Sequence, residues 1–346
     1  MVFMRRPTIS IIVLQVALLV CFFTKEATTQ GIRPLPGMPP VLDPNDIYAA
    51  DRPGNLTPTV RNFPNRVYVP NTESNTVTVI DPASYKVIET LRVGRLPQHV
   101  TPSYDLTTLW VLNDKGNSLT EINPATGQKG KTVHVEDPYN MYYTPDGKYA
   151  IVVAEERQRL MFRDPHTMQV KNSLWVPCKG VDHMDFAADG RYLIASCEFG
   201  GAVIKVDVES QKLVGTVELG PGLMPQDVKL SPDGRVFYVA DMKSDGVHLI
   251  DGDHLAKIGF LPTGKGAHGL YVSRDSKVLY VSNREEGSIS LIDFASRKVV
   301  KKWMLYAIDT RDGHLIARIP VGHGPHGLCV YPQPGRYSLG HTGIFR

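Results

Sequence analysis

The sequence predicts an all-β fold, a seven-bladed β-propeller, and three observations lead there. The first is a repeated phrase, an apolar, β-branched strand closed by Asp or Asn. It reads VTVID ending at Asp81, LTEIN at Asn123, LMFRD at Asp164, VIKVD at Asp207, VHLID at Asp251, SISLID at Asp293 and LYAID at Asp309. Successive endings lie 42, 41, 43, 44, 42 and then only 16 residues apart. A period in the low forties built of short strands is one propeller blade per repeat. The second is the division of each unit into four strands, A to D, by turn residues. The third is that the ends of the chain complement each other. The first unit enters at RVYVPN (66–71), a B strand with no A strand before it, and the last unit ends on an orphan A strand, HGLCVY (326–331). The C-terminal strand is therefore expected to complete the N-terminal blade and remove the free edge of an open array.

Each element follows in order. Arg5 and Arg6 precede an uncharged run from Pro7 to Thr24, so residues 1–29 read as a secretory signal peptide. The rival is a retained N-terminal anchor, because no clean A-x-A cleavage site follows. Residues 30–60 are rich in proline (Pro34, Pro36, Pro39, Pro40, Pro44, Pro53, Pro58) without strand alternation, and read as a linker or strap. Residues 61–335 form the propeller and 336–346 a C-terminal tail. The cleanest unit runs from HGLYVS (268–273) through KVLYVSN (277–283) and SISLID (288–293) to KVVKKW (298–303). TPDG at 144–147, AADG at 187–190 and SPDG at 231–234 mark A–B turns, where Asp-Gly supplies positive φ. The short interval places a defect between Trp303 and Leu305. The A and B strands of one blade, about 26 residues of the 42-residue period, are absent there. A skipped coding segment and a natural deletion both explain it.

The whole chain carries 38 Lys and Arg against 35 Asp and Glu. Removing residues 1–29 takes away Arg5, Arg6, Lys25 and Glu26, leaving 35 against 34. Such a balance does not favour nucleic acid or an anionic membrane surface. No second apolar run is long enough to span a bilayer. The expectation is a secreted or periplasmic monomer, with no membrane contact beyond an N-terminal anchor if one is retained.

The chemistry is expected at the channel mouth, where each A strand begins beside the axis. Those first residues are His99, Asn140, His183, Asp227, His268 and His326. Imidazole with carboxylate is the ligand set of transition metals such as Zn, Cu or Fe. The alternative is a polar ring in which each His caps its strand and orders water. The B–C loops add Glu155, Glu198, Asp241 and Arg284 as candidate ligand-binding groups. Because a seven-bladed channel is wide, His268, His326 and His99 are the expected near neighbours. Cys178 and Cys197 flank His183, and a disulfide is the first reading, with free thiols or metal thiolates as alternatives. Cys329 reads as a buried small hydrophobe. The Asp or Asn closing each C strand reads as turn structure rather than an acidic series. There is no G-x-S-x-G, H-E-x-x-H, C-x-x-C or phosphate-cradling glycine loop.

VYVPN, FYVAD and LYVSN in the B strands, VIDPAS and LIDFAS across the C–D turn, and TGKGAHGL into strand A resemble the YVTN-type propeller repeat. Over roughly residues 60–335 the chain is similar to the secreted YncE-like proteins. That resemblance implies the propeller fold but selects no single function, since such propellers serve as surface-layer proteins, binding modules, lactonases and parts of periplasmic oxidoreductases. Two functions stay open: a module that binds a metal, small ligand or partner protein on its top face, and a metal-dependent periplasmic enzyme of lactonase or oxidoreductase type.

Overall fold

The computed structural model describes residues 34–304, 307–308, 315–341 and 344–346. The proposed leader, and most of the LYAID phrase ending at Asp309, lie outside the described residues. Blade I holds β1 (Arg66–Asn71), β2 (Thr76–Asp81) and β3 (Lys86–Arg92). Blade II holds β4 (Pro97–Pro102), β5 (Leu109–Asn113), β6 (Ser118–Ile122) and β7 (Lys129–His134). Blade III holds β8 (Asn140–Tyr143), β9 (Ala150–Ala154), β10 (Arg159–Arg163) and β11 (Val170–Trp175). Blade IV holds β12 (Val181–Phe186), β13 (Tyr192–Cys197), β14 (Ala202–Asp207) and β15 (Lys212–Glu218). Blade V holds β16 (Pro225–Leu230), β17 (Phe237–Asp241), β18 (Gly246–Asp251) and β19 (Ala256–Pro262). Blade VI holds β20 (Ala267–Val272), β21 (Val278–Asn283), β22 (Ser288–Asp293) and β23 (Lys298–Met304). After these come β24 (Ala307–Ile308), β25 (Leu315–Ala317) and β26 (Cys329–Tyr331).

Strand β26 adds to β1, pairing Arg66 with Tyr331 and Tyr68 with Cys329, so blade I is completed by the C-terminal segment. The seven-bladed expectation is overturned. The described residues form six four-stranded blades, and β24 pairs with β25 as a separate two-stranded sheet. The physical reason is that a blade needs its inner A and B strands to hold it against the axis. Two short strands have no such partners.

The strand character follows burial. The B strands β5, β9 and β17 are buried on both faces and read as near-continuous apolar runs. The D strands form the exposed rim; KGKTVH in β7 is largely exposed, and its lysines discourage edge-to-edge pairing. The acidic residues closing the C strands fold back onto their turns, as in Asp81 Oδ1 accepting from Ala83 N and Asp293 Oδ1 from Ser296 N.

The side carrying the A–B turns is sealed by both flanking segments. In the proline-rich strap Leu35 N donates to Asp189 O and Ile47 N to Pro232 O. The tail runs beside β8, with Tyr143 N donating to Leu339 O and His341 N to Met141 O. Its last residue is fully buried. Arg346 donates to Asp185 Oδ1 at 3.1 Å and to Phe186 O at 2.8 Å. Asp185 Oδ2 in turn accepts from Leu230 N and from the Tyr48 hydroxyl, so one carboxylate ties two blades, strap and tail together.

Candidate metal centre

Four inner strands slip register at their heads: between Pro97 and His99, Val181 and Met184, Pro225 and Val228, and Ala267 and Leu270. Bulges of this kind re-aim side chains. Here they lie at the positions of His99, His183, Asp227 and His268.

The imidazoles meet edge to face. Ring centroids of His99 and His183, from non-adjacent blades, are 5.5 Å apart, His99 and His326 5.0 Å, and His268 and His326 6.0 Å. Six blades make a narrower ring than seven, which brings these rings into contact. The tightest set is not His268, His326 and His99. It is His99, His183 and His341, all buried, each offering a ligand atom within 4.8 Å of the others. His341 lies 4.9 Å from His99 and 4.6 Å from His183 between ring centroids. Sequence reasoning missed it because it stands in the tail, outside the repeat. No spacing rule marks a single histidine that only the folded-back chain carries to the axis.

These three histidines can hold a metal ion. Both ring nitrogens of His99 are buried without a hydrogen-bond partner, and an orphaned buried polar atom costs about 1–3 kcal/mol. Neutral rings are what ligation needs. Burial holds His183 and His341 down at about 4, and His99 well below the ordinary imidazole range with the other histidines adding to it. His326 is likewise held at about 4 and His268 at about 3, burial leading in each case. His183 Nδ1 lies 2.7 Å from Asp182 Oδ1, a carboxylate placed where second-shell partners of metal-bound imidazoles sit.

The other expected residues separate into groups. Asn140 positions His341: its oxygen accepts from Met141 N, which turns the amide NH2 toward His341 Nδ1 at 3.2 Å. Asp227 is held by Lys229 Nζ at 3.1 Å and accepts from Leu270 N of the next blade, with His341 Nε2 3.8 Å away. Burial opposes its charge, but Lys229 and His341 outweigh it and keep the carboxyl well below the usual range. Glu155 and Glu198 lie within electrostatic reach of Asp182, the carboxylate beside His183. Burial, then the charges of Asp182 and Glu198, push Glu155 up to about 9. Asp241 is engaged within its own blade by His248 Nε2 at 3.1 Å and by the backbone N–H groups of Met224, Lys243 and Ser244. Arg284 is exposed on the B–C loop of blade VI. Cys178 and Cys197 are disulfide-bonded, with Cα atoms 5.2 Å apart, and Cys329 is a buried free thiol.

A cavity of about 610 Å³ opens between blade VI and the segment 325–328. Its walls are Leu270, Tyr271, Tyr280, Ile289 and Leu328, and Arg284 stands among its lining residues. His268 and His326 line it half-buried, and His99, His183 and His341 close its inner end.

Fold and site together define a β-propeller with an imidazole-lined axis. The chain matches the model of the YNCE-like beta-propeller family over residues 56–313 and belongs to that family. It is 25% identical over 216 residues to a 6-phosphogluconolactonase of Serratia proteamaculans (strain 568), covering 56% of this chain and 60% of that relative's length. Among solved structures it is similar to Kuenenia stuttgartiensis hydrazine synthase, with 20% identity, a TM-score of 0.58, and coverage of 74% of this chain and 84% of that one. It is also similar to a candidate 6-phosphogluconolactonase of Bacteroides fragilis NCTC 9343, with 17% identity, a TM-score of 0.52, and coverage of 78% and 98%. At these identities the structural likenesses speak for the fold alone. Among the described residues no helix is long and apolar enough to cross a membrane.

Proposed function

We propose that the protein is an extracytoplasmic binding module that holds a divalent transition metal on His99, His183 and His341. The observation that carries this reading is the convergence of three buried imidazoles within 4.8 Å, one of them with both nitrogens unpartnered. Imidazole-only sites suit Zn, Cu or Fe. Asn140 holds His341 in place through Nδ1 and gives way when that nitrogen is needed for the ion. Export rests on the apolar N-terminal run behind Arg5 and Arg6, and the Cys178–Cys197 disulfide fits an oxidising compartment. The test is equilibrium dialysis of purified, metal-stripped protein against zinc or copper, with the His99→Ala, His341→Gln double variant beside it. One equivalent bound by the wild type and none by the variant is expected. Equal weak binding by both would leave the imidazoles as packing.

The second reading is a metal-dependent lactonase, favoured by the Serratia relative. The Arg284 guanidinium is the one permanent cation lining the cavity among the described residues, which is little for a phosphorylated sugar. Hydrolysis of 6-phosphogluconolactone above the spontaneous rate, lost in the double variant, would establish it.

A further inference from the structure

The cavity beside blade VI has a chemistry of its own. In β21, Leu279 and Val281 face blade V and are fully buried, while Val278, Tyr280 and Ser282 on the other face are half-buried. Across the cavity Leu328 is 45% exposed. The walls are thus apolar and open, and the inner end is the histidine centre.

Charge decides what can fill it. A dication on three neutral imidazoles places two positive charges in a buried site. The Asp227 carboxylate is already matched by Lys229. No carboxylate other than Asp227 lines the cavity among the described residues, and an uncompensated buried charge is strongly unfavourable. An anionic ligand offsets part of that charge, and the walls behind it accept hydrocarbon.

We infer that the cavity binds an amphiphilic monocarboxylate, its carboxylate completing the coordination of a metal on His99, His183 and His341 and its apolar chain lying between blade VI and residues 325–328. This rests on the metal-binding reading above. No covalent step is involved.

The experiment uses cobalt(II) as a visible probe. The purified protein is loaded with cobalt, and its d–d absorption is followed while acetate, butyrate, hexanoate and octanoate are titrated separately. Affinity is expected to rise roughly fourfold per methylene until the walls are covered. Leu328→Asp, at a position exposed enough to leave folding intact, should lose at least tenfold affinity for octanoate while acetate changes little. Equal affinity for acetate and octanoate, or an octanoate affinity unchanged by Leu328→Asp, overturns the inference while cobalt uptake leaves the metal reading standing. Absence of cobalt absorption in the protein overturns the metal reading and this one with it.

Discussion

Blades IV and VI are built from similar strands and meet different surroundings. In blade IV, β12 is buried throughout and β13 nearly so. In blade VI, β21 buries one face and leaves the other half-buried, and β20 is buried only at Ala267 and Leu270. The sequences do not explain this, since LIAS in β13 and LYVS in β21 are equally apolar. The neighbour does. Blade IV lies between blades III and V and is closed from below by the tail and strap, whereas blade VI faces the cavity. A propeller blade therefore derives much of its stability from the blades beside it, as repeat architectures do from their interfaces.

The largest effects should fall where burial is complete. Arg346→Met removes the cation from a buried pair and leaves Asp185 uncompensated, at a cost of about 3–5 kcal/mol. At matched positions of β13 and β21, Ile194→Ala should cost about 2–5 kcal/mol, and Tyr280→Ala only about 1 kcal/mol. Urea denaturation of the three variants checks the order. Equal losses at Ile194 and Tyr280 would mean that the blade VI face is covered in solution.

The Cys178–Cys197 disulfide belongs to the well-packed side. It closes a loop of sequence separation 19, which corresponds to about 3 kcal/mol of restricted unfolded-state freedom. A Cys178→Ala, Cys197→Ala variant should lose that amount with an unchanged near-ultraviolet spectrum.

What the sequence made legible follows the same division. The period, the four strands per unit, the closure of blade I by the C-terminal strand and the turn role of Asp81 and its equivalents were readable because they are local and repeated. The blade number was not. Counting C-strand phrases gave seven, but a C strand without A and B strands has nothing to hold it at the axis, and β24 pairs only with β25. The A-strand heads located the histidines around the axis. His341 and Arg346 escaped because their roles come from the tail folding back, a contact that no periodicity encodes. The amides of Asn71, Asn113 and Asn283, which close three B strands, each donate to two hydroxyls of their own blade's next strand.

The imidazoles and Glu155 titrate in opposite senses. Four histidines at the cavity have folded values of about 3 to 4 and His99 lies lower still, against an unfolded value of about 6.5. Their neutral forms are favoured by folding, so their contribution is complete above about pH 6.5 and is lost as pH falls toward 4. Glu155 behaves oppositely: raised to about 9, it keeps its proton in the fold, and that contribution fades as pH rises through 9. Metal-free protein should be most stable near pH 6–7 and weaken on both sides. Glu155→Gln should reduce the alkaline decline, to which Asp51 and Asp182, also raised by burial, contribute, and leave the acid one. An unchanged alkaline decline would place its cause elsewhere.

The smallest expected effect is the most direct test of the open face. Leu328 is an apolar residue 45% exposed on the cavity wall, and its neighbour Cys329 is fully buried within blade I. If the face is open to solvent, Leu328→Ser exchanges a half-solvated leucine for a hydroxyl and changes stability by no more than about 0.5 kcal/mol. Cys329→Ser, one residue on, buries a hydroxyl among apolar neighbours and should cost about 1–3 kcal/mol. The same protein should elute as a monomer at micromolar concentration, because a second copy seated on blade VI would bury Leu328 and Tyr280 together. A loss above about 1.5 kcal/mol from Leu328→Ser, or a dimer that this substitution dissociates, would show the wall to be an interface, and the contrast between blades IV and VI would then be one of partner rather than of packing.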